Sequence, residues 1–223
     1  NYTIKTGTVA KAKKETQETK KETSVVKLKE EKKEEKQKEK AVKQEVRECS
    51  FNTSQSPSHR EVIINEVAWM GGSSGVGLTA NDEWIELKNL ANKPIDISGW
   101  QIVSQDENIQ AVFKSGSEIP AGGFYLLERS NDNSVPGVSA DTMYTGALAN
   151  TNEGLRIFTS NCNLADEVMA GPDWPAGEAA SRRTMQRDSS LNWSTYGAHA
   201  ISSIFGTPRT ENGPALVRED TVN

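Results

Sequence analysis

Glu61-Val-Ile-Ile-Asn-Glu-Val-Ala-Trp-Met-Gly71, then Asn81-Asp-Glu-Trp-Ile-Glu-Leu-Lys-Asn89, then Pro94-Ile-Asp-Ile-Ser-Gly-Trp100 decide the fold class of this chain. Two runs rich in β-branched and aromatic residues are separated by a Gly/Ser loop. The second passes through a Pro-Ile-Asp turn into a Gly-Trp step that opens another strand. Ile85 and Leu87 alternate with Glu86 and Lys88, the pattern of a strand with one face buried and one face wet.

Working outward, the same grammar continues. Strands are expected near residues 61–69, 83–90, 99–104, 109–114, 123–129, 154–159, 163–169 and 182–187. Ile119-Pro-Ala-Gly-Gly123 reads as a turn that launches Phe124-Tyr-Leu-Leu127, and residues 130–153, rich in Asn, Asp, Ser and Gly, read as a long excursion. Strands at this spacing make an all-β sandwich. The chain is expected to leave the fold after Gly206-Thr-Pro208, because residues 211–223 carry no strand pattern.

The N-terminal portion is different. Residues 1–48 hold fourteen Lys, one Arg and ten Glu, a net +5, which leaves −10 of the total −5 on the remainder. With so few apolar residues it cannot build a core, and it lacks the sustained a/d heptads of a coiled coil. It reads as a charged, disordered or partly helical stalk (1–48), followed by a lead-in (49–60), a β domain (61–210) and a tail (211–223). The acidic body is a poor generic ligand for nucleic acid or an anionic membrane. No apolar run is long enough to span a bilayer. The chain begins at Asn1 rather than Met, consistent with a processed form or a fragment from which a signal peptide has gone.

Cys49 precedes the β region and Cys162 lies in the turn Thr159-Ser-Asn-Cys-Asn163. Neither has CxxC spacing, so a disulfide between them is expected, with two separate thiols as the alternative.

The ordered words Ile64–Gly71, Asn81–Leu87, Gly99-Trp100, Pro120–Gly122, Leu127–Arg129, Tyr144–Leu148, Trp174–Gly177, Arg183–Met185 and Gly206–Pro208 resemble the lamin-tail domain family over about residues 61–212. The resemblance is to its bacterial, exported members. It implies an immunoglobulin-like β-sandwich and supplies no agreed catalytic residues. The charged stalk lies outside it and lacks the heptad rod of a lamin.

Candidate chemistry is sparse. Glu66, Asp82, Glu83 and Glu86 could converge near one sandwich end as oxygen ligands for Ca²⁺, and Asp132 with Asp141 marks a second candidate. The alternative is that these carboxylates cap loop backbone, and no cofactor is otherwise expected. Trp174, between Pro172 and Pro175, is a candidate for stacking on a sugar or partner, or a plug closing the sandwich. Arg183 and Arg187, with Arg182, form a candidate anion patch, or charges that guard an exposed edge strand.

The two histidines, His59 and His199, do not suggest a metal centre or a Ser-His-Asp set, and Gly71–Gly77 lacks the Lys of a phosphate loop. The expected role is non-catalytic: an extracytoplasmic, secreted or cell-surface module for adhesion, anchoring or scaffolding through a protein or cell-wall glycan partner. The alternatives are an accessory module of an extracellular hydrolase or nuclease, and a carbohydrate-binding module.

Overall fold

The computed structural model describes residues 47–57, 61–73, 75, 77–201 and 203–217. The stalk expected over residues 1–48 lies outside them apart from Arg47 and Glu48. Twelve strands follow in chain order among the described residues: β1 (Val62–Ala68), β2 (Trp84–Asn89), β3 (Ile95–Asp96), β4 (Gln101–Ser104), β5 (Gln110–Val112), β6 (Glu118–Ile119), β7 (Phe124–Arg129), β8 (Thr142–Tyr144), β9 (Thr151–Phe158), β10 (Leu164–Asp173), β11 (Met185–Arg187) and β12 (Trp193–Thr195). They form a six-stranded sheet in the order β12-β11-β1-β2-β7-β8, a four-stranded sheet β10-β9-β4-β5 and a small β3-β6 pair. Pairing is antiparallel except between β7 and β8. The chain is an immunoglobulin-like β-sandwich.

Two cross-strand rows explain why the large sheet folds as it does. Met185, Val67, Ile85 and Leu127 are register partners across β11, β1, β2 and β7, and all four belong to the main core with Ile102, Leu155 and Ile157 of the facing sheet. One residue away, Gln186, Glu66, Glu86 and Leu126 make the next row, on the opposite face. That second face is not wet. Glu66, Glu86, Gln186 and Leu126 are 0% exposed. The alternation at Glu86 therefore marks two faces that are both buried, one against the partner sheet and one beneath later loops.

The covering comes from the end of the chain. Residues 204–216, expected to leave the fold after Pro208, run back over the outer face of β11, β1 and β2. Their end pairs with the chain at and just after β12, where Leu216 N–H donates to the Thr195 carbonyl at 2.7 Å and Gly197 N–H to the Pro214 carbonyl at 2.7 Å. Polar sequence concealed this, because beyond Ile204, which joins the core, the segment is held on the sheet largely by hydrogen bonds. The lead-in also packs. Cys49 and Phe51 join Val103, Phe158, Cys162 and Leu164 in a second, smaller core, and Cys49 is disulfide-bonded to Cys162 across 113 residues.

Candidate functional site

The outer face of the large sheet holds a concentration of buried polar side chains. A bulge in β1 between Ile64 and Glu66 turns Asn65 so that its amide donates to Glu86 at 2.8 Å and to the Asn212 side-chain oxygen at 3.1 Å. Glu66 accepts from the Thr184 hydroxyl, from the Thr207 backbone N–H at 3.0 Å and from the Thr207 hydroxyl at 2.8 Å. Glu86 accepts in addition from the Arg209 backbone N–H. Asn212 donates to Asn65 Oδ1 at 3.1 Å and to the Arg187 carbonyl at 2.7 Å. Gln186 makes a reciprocal pair with Gly213, at 2.7 and 3.1 Å. At Gly206 only a hydrogen fits, because a Cβ there would lie 2.7 Å from Glu66 Oε1.

Electrostatics follow from this burial. Loss of solvation pushes the Glu66 carboxyl up to about 7, against the opposing donors Thr184 and Thr207. Glu86 is driven well above the ordinary carboxylate range, first by burial and then by the charge of Glu66 beside it. Burial likewise raises Glu83 to about 7 in spite of the Leu148 N–H and Arg129. Glu128 also reaches about 7, through burial and repulsion from Asp132 and Asp82.

Beside the buried row lies a groove of about 540 Å³. Ile63, Leu90 and Leu191 give it apolar surface, and Lys88, Arg187 and Glu211 bring charge. Lys88 Nζ is 2.6 Å from Glu211, across the groove between β2 and the C-terminal segment. Asn65 and Asn212 reach the same groove, so its wall is continuous with the buried network.

Of the carboxylates considered for Ca²⁺, only Glu66 and Glu86 are neighbours, as register partners on β1 and β2. Asp82 accepts from the backbone and hydroxyl of Thr79, a turn contact. Glu83 pairs with Arg129 at 3.2 Å and accepts the Leu148 N–H at 2.9 Å. Asp132 accepts the Ala140 N–H, and Asp141 pairs with Arg209 at 2.7 Å. Among the described residues no three His, Cys, Asp or Glu side chains come together in a metal-holding group.

Trp174 is a plug rather than an open platform. It is 6% exposed, stacks on Trp69 at 6.4 Å between ring centres and donates to the Ala149 carbonyl at 2.9 Å. The arginines do not make an anion patch either. Arg183 donates to the Tyr196 and Ala198 carbonyls and lies over the Phe205 ring. Arg187 bonds the carbonyls of Ile64 and Leu191, pairs with Asp166 at 3.1 Å and covers Trp193. Nor does Arg187 guard an edge, since its strand, β11, lies between β12 and β1. The sequence reading assigned no role to Thr184, Thr207, Gln186 and Asn212; its traces of them were the words Arg183-Thr-Met185 and Gly206-Thr-Pro208.

The Lamin Tail Domain family model matches residues 55–172, more than half of the chain. The chain belongs to the lamin tail domain family. No curated protein matches it significantly. The lamin tail match contains Glu66, Glu86 and the strands from β1 nearly to the end of β10, and stops before β11, β12 and the covering segment. The lamin tail domain family is one of non-catalytic immunoglobulin-like folds.

Proposed function

We propose that this lamin tail domain is an extracytoplasmic binding module that anchors or scaffolds a surface assembly, holding a protein or cell-wall peptide partner in the groove beside β1 and β2. The groove carries the reading. A cleft of about 540 Å³ with three aliphatic side chains and charges of both signs suits a partner with alternating apolar and charged groups. The Cys49–Cys162 disulfide supports an oxidising compartment. Among the described residues no helix is long and apolar enough to cross a membrane.

Co-sedimentation of the protein with purified cell-wall sacculi, with and without their attached proteins, tests the proposal. Binding is expected in at least one preparation, and Leu90→Asp with Lys88→Glu should weaken it at least tenfold while leaving the melting curve within a few degrees. Retention that ignores both substitutions, or hydrolysis of wall or nucleic acid by the pure chain, would overturn it.

A further inference from the structure

The buried row and the groove share one movable part. Residues 204–215 are anchored at their start by Ile204 in the core and the Thr184 N–H on the Phe205 carbonyl, and at their end by the bridge of Ala215 to Tyr196. Between these, hydrogen bonds to the side chains of Glu66, Glu86, Asn65 and Gln186 hold the segment on the sheet, together with Asn212 on the Arg187 carbonyl and the Arg209–Asp141 and Lys88–Glu211 pairs. Glu66 and Glu86 are register partners on adjacent strands, on the same face and 0% exposed. Two carboxyls so placed cannot both hold full charge away from water without a strong penalty.

Burial and the charge of Glu66 outweigh the facing charge of Arg209, which draws the Glu86 carboxyl down. Arg209 of the covering segment directs its guanidinium to Asp141 at 2.7 Å and to the Ser139 carbonyl. Lys88, two residues along β2 from Glu86, is held by Glu211. Arg183 lies over Phe205, and Tyr196 donates its hydroxyl to the His199 carbonyl. Among the described residues no Lys or Arg side chain pairs directly with Glu66 or Glu86.

We propose that residues 204–215 form a latch whose closure depends on a proton retained by the Glu66–Glu86 pair, and that ionisation of both carboxyls releases the latch and dismantles one wall of the groove. Closed, the latch places Thr207 and Arg209 N–H groups on the two carboxyls and sets Asn212, Gly213 and Pro214 along the groove. Released, it returns both carboxyls to water, where each ionises at its ordinary value. The sign follows: protons favour the closed form, and raising the pH favours the open one. As a gate for the groove the latch rests on the binding reading above; as a moving segment it does not.

Amide hydrogen exchange on the whole chain, without any ligand, tests this. After correction for intrinsic rates, protection at Thr207, Arg209 and Gly213 is expected to fall at least tenfold from pH 5 to pH 8.5, while Ile157 in β9 stays constant. Glu86→Gln, which keeps an acceptor for the Arg209 N–H and removes the second charge, should flatten that dependence. Carboxyl ¹³C titration of the unsubstituted protein gives a readout that needs no variant, and at least one of the pair should hold its proton above pH 6. Constant latch protection across the range, or both carboxyls ionised below pH 5 with the latch closed, would overturn the proposal. Because no partner is present, a groove that binds nothing in the sedimentation assay leaves this result standing, and the reverse holds.

Discussion

At Glu128 a single carboxyl shows how burial sets the pH response of this domain. Its Oε2 accepts the Ser134 N–H at 2.7 Å, while Oε1 has no hydrogen-bond partner, and burial holds the group near 7. A carboxylate raised from 4.5 to about 7 binds its proton more tightly in the folded state than in the unfolded state. Its contribution is therefore complete below about pH 4.5 and declines as pH rises through 7. Glu83 and Glu66 shift in the same direction to about 7. Asp96, Asp106 and Asp188 are lowered by local hydrogen bonds and act oppositely, favouring the folded form only above their own depressed values. The stability maximum should therefore fall near pH 4 to 5, below the neutral range. Urea unfolding should show a lower midpoint at pH 8 than at pH 5. Glu128→Gln, neutral at every pH, should gain about 1–3 kcal/mol over the unsubstituted protein at pH 8 and gain nothing at pH 5. A midpoint that rises steadily to pH 8 would contradict this account.

Among the elements, every long strand was legible, and of the short ones β4, β5 and β11 were, inside expected runs at 99–104, 109–114 and 182–187. β1, β2, β7, β9 and the first half of β10 announce themselves through β-branched runs bounded by turn residues. β3 and β6, two residues each, are too short for a period-2 pattern to accumulate, and β8 and β12, three each, lie among turn-forming Asn, Asp, Ser and Gly that mask them. The site was less legible than the fold for a related reason. Alternation in Ile85-Glu86-Leu87 records that two faces differ, and carries no information about whether a segment 120 residues later covers the polar one. Cysteine arithmetic, by contrast, reached the correct pair, since only two cysteines exist and their disulfide joins Cys49 to the turn between β9 and β10. That link fixes the lead-in against β4, where Gln101 also bonds the Cys49 N–H and the Arg47 carbonyl. Closing a loop of this length is worth about 4–5 kcal/mol in the chain-entropy model. Cys49→Ser with Cys162→Ser should lower unfolding stability by about that amount, measured against the oxidised protein in urea. An unchanged midpoint would mean the lead-in contributes nothing that the disulfide secures.

For the whole molecule, the boundary of the family match and the boundary of the folding unit differ, and this has a measurable consequence. A fragment spanning residues 55–172 keeps β1 to β9 and most of β10, yet removes β11, so the outer side of β1 becomes an unpaired edge. It removes Thr184, Thr207 and the Arg209 N–H, the donors that satisfy Glu66 and Glu86, leaving two carboxyls on a face stripped of its cover. It removes Met185 from the core row beside Val67, and it removes Cys49, freeing the Cys162 thiol. Each loss acts on β1 or on its immediate neighbours in the six-stranded sheet or on the small core, so the effects fall on one cooperative unit rather than on separable parts. The fragment is expected to show no cooperative thermal transition and to expose apolar surface to a hydrophobic dye. A fragment of residues 47–217 should melt in one sharp transition close to that of the full chain. Cooperative unfolding of the 55–172 fragment at a similar temperature would show that the latch, β11 and β12 decorate a self-sufficient sandwich instead of completing it.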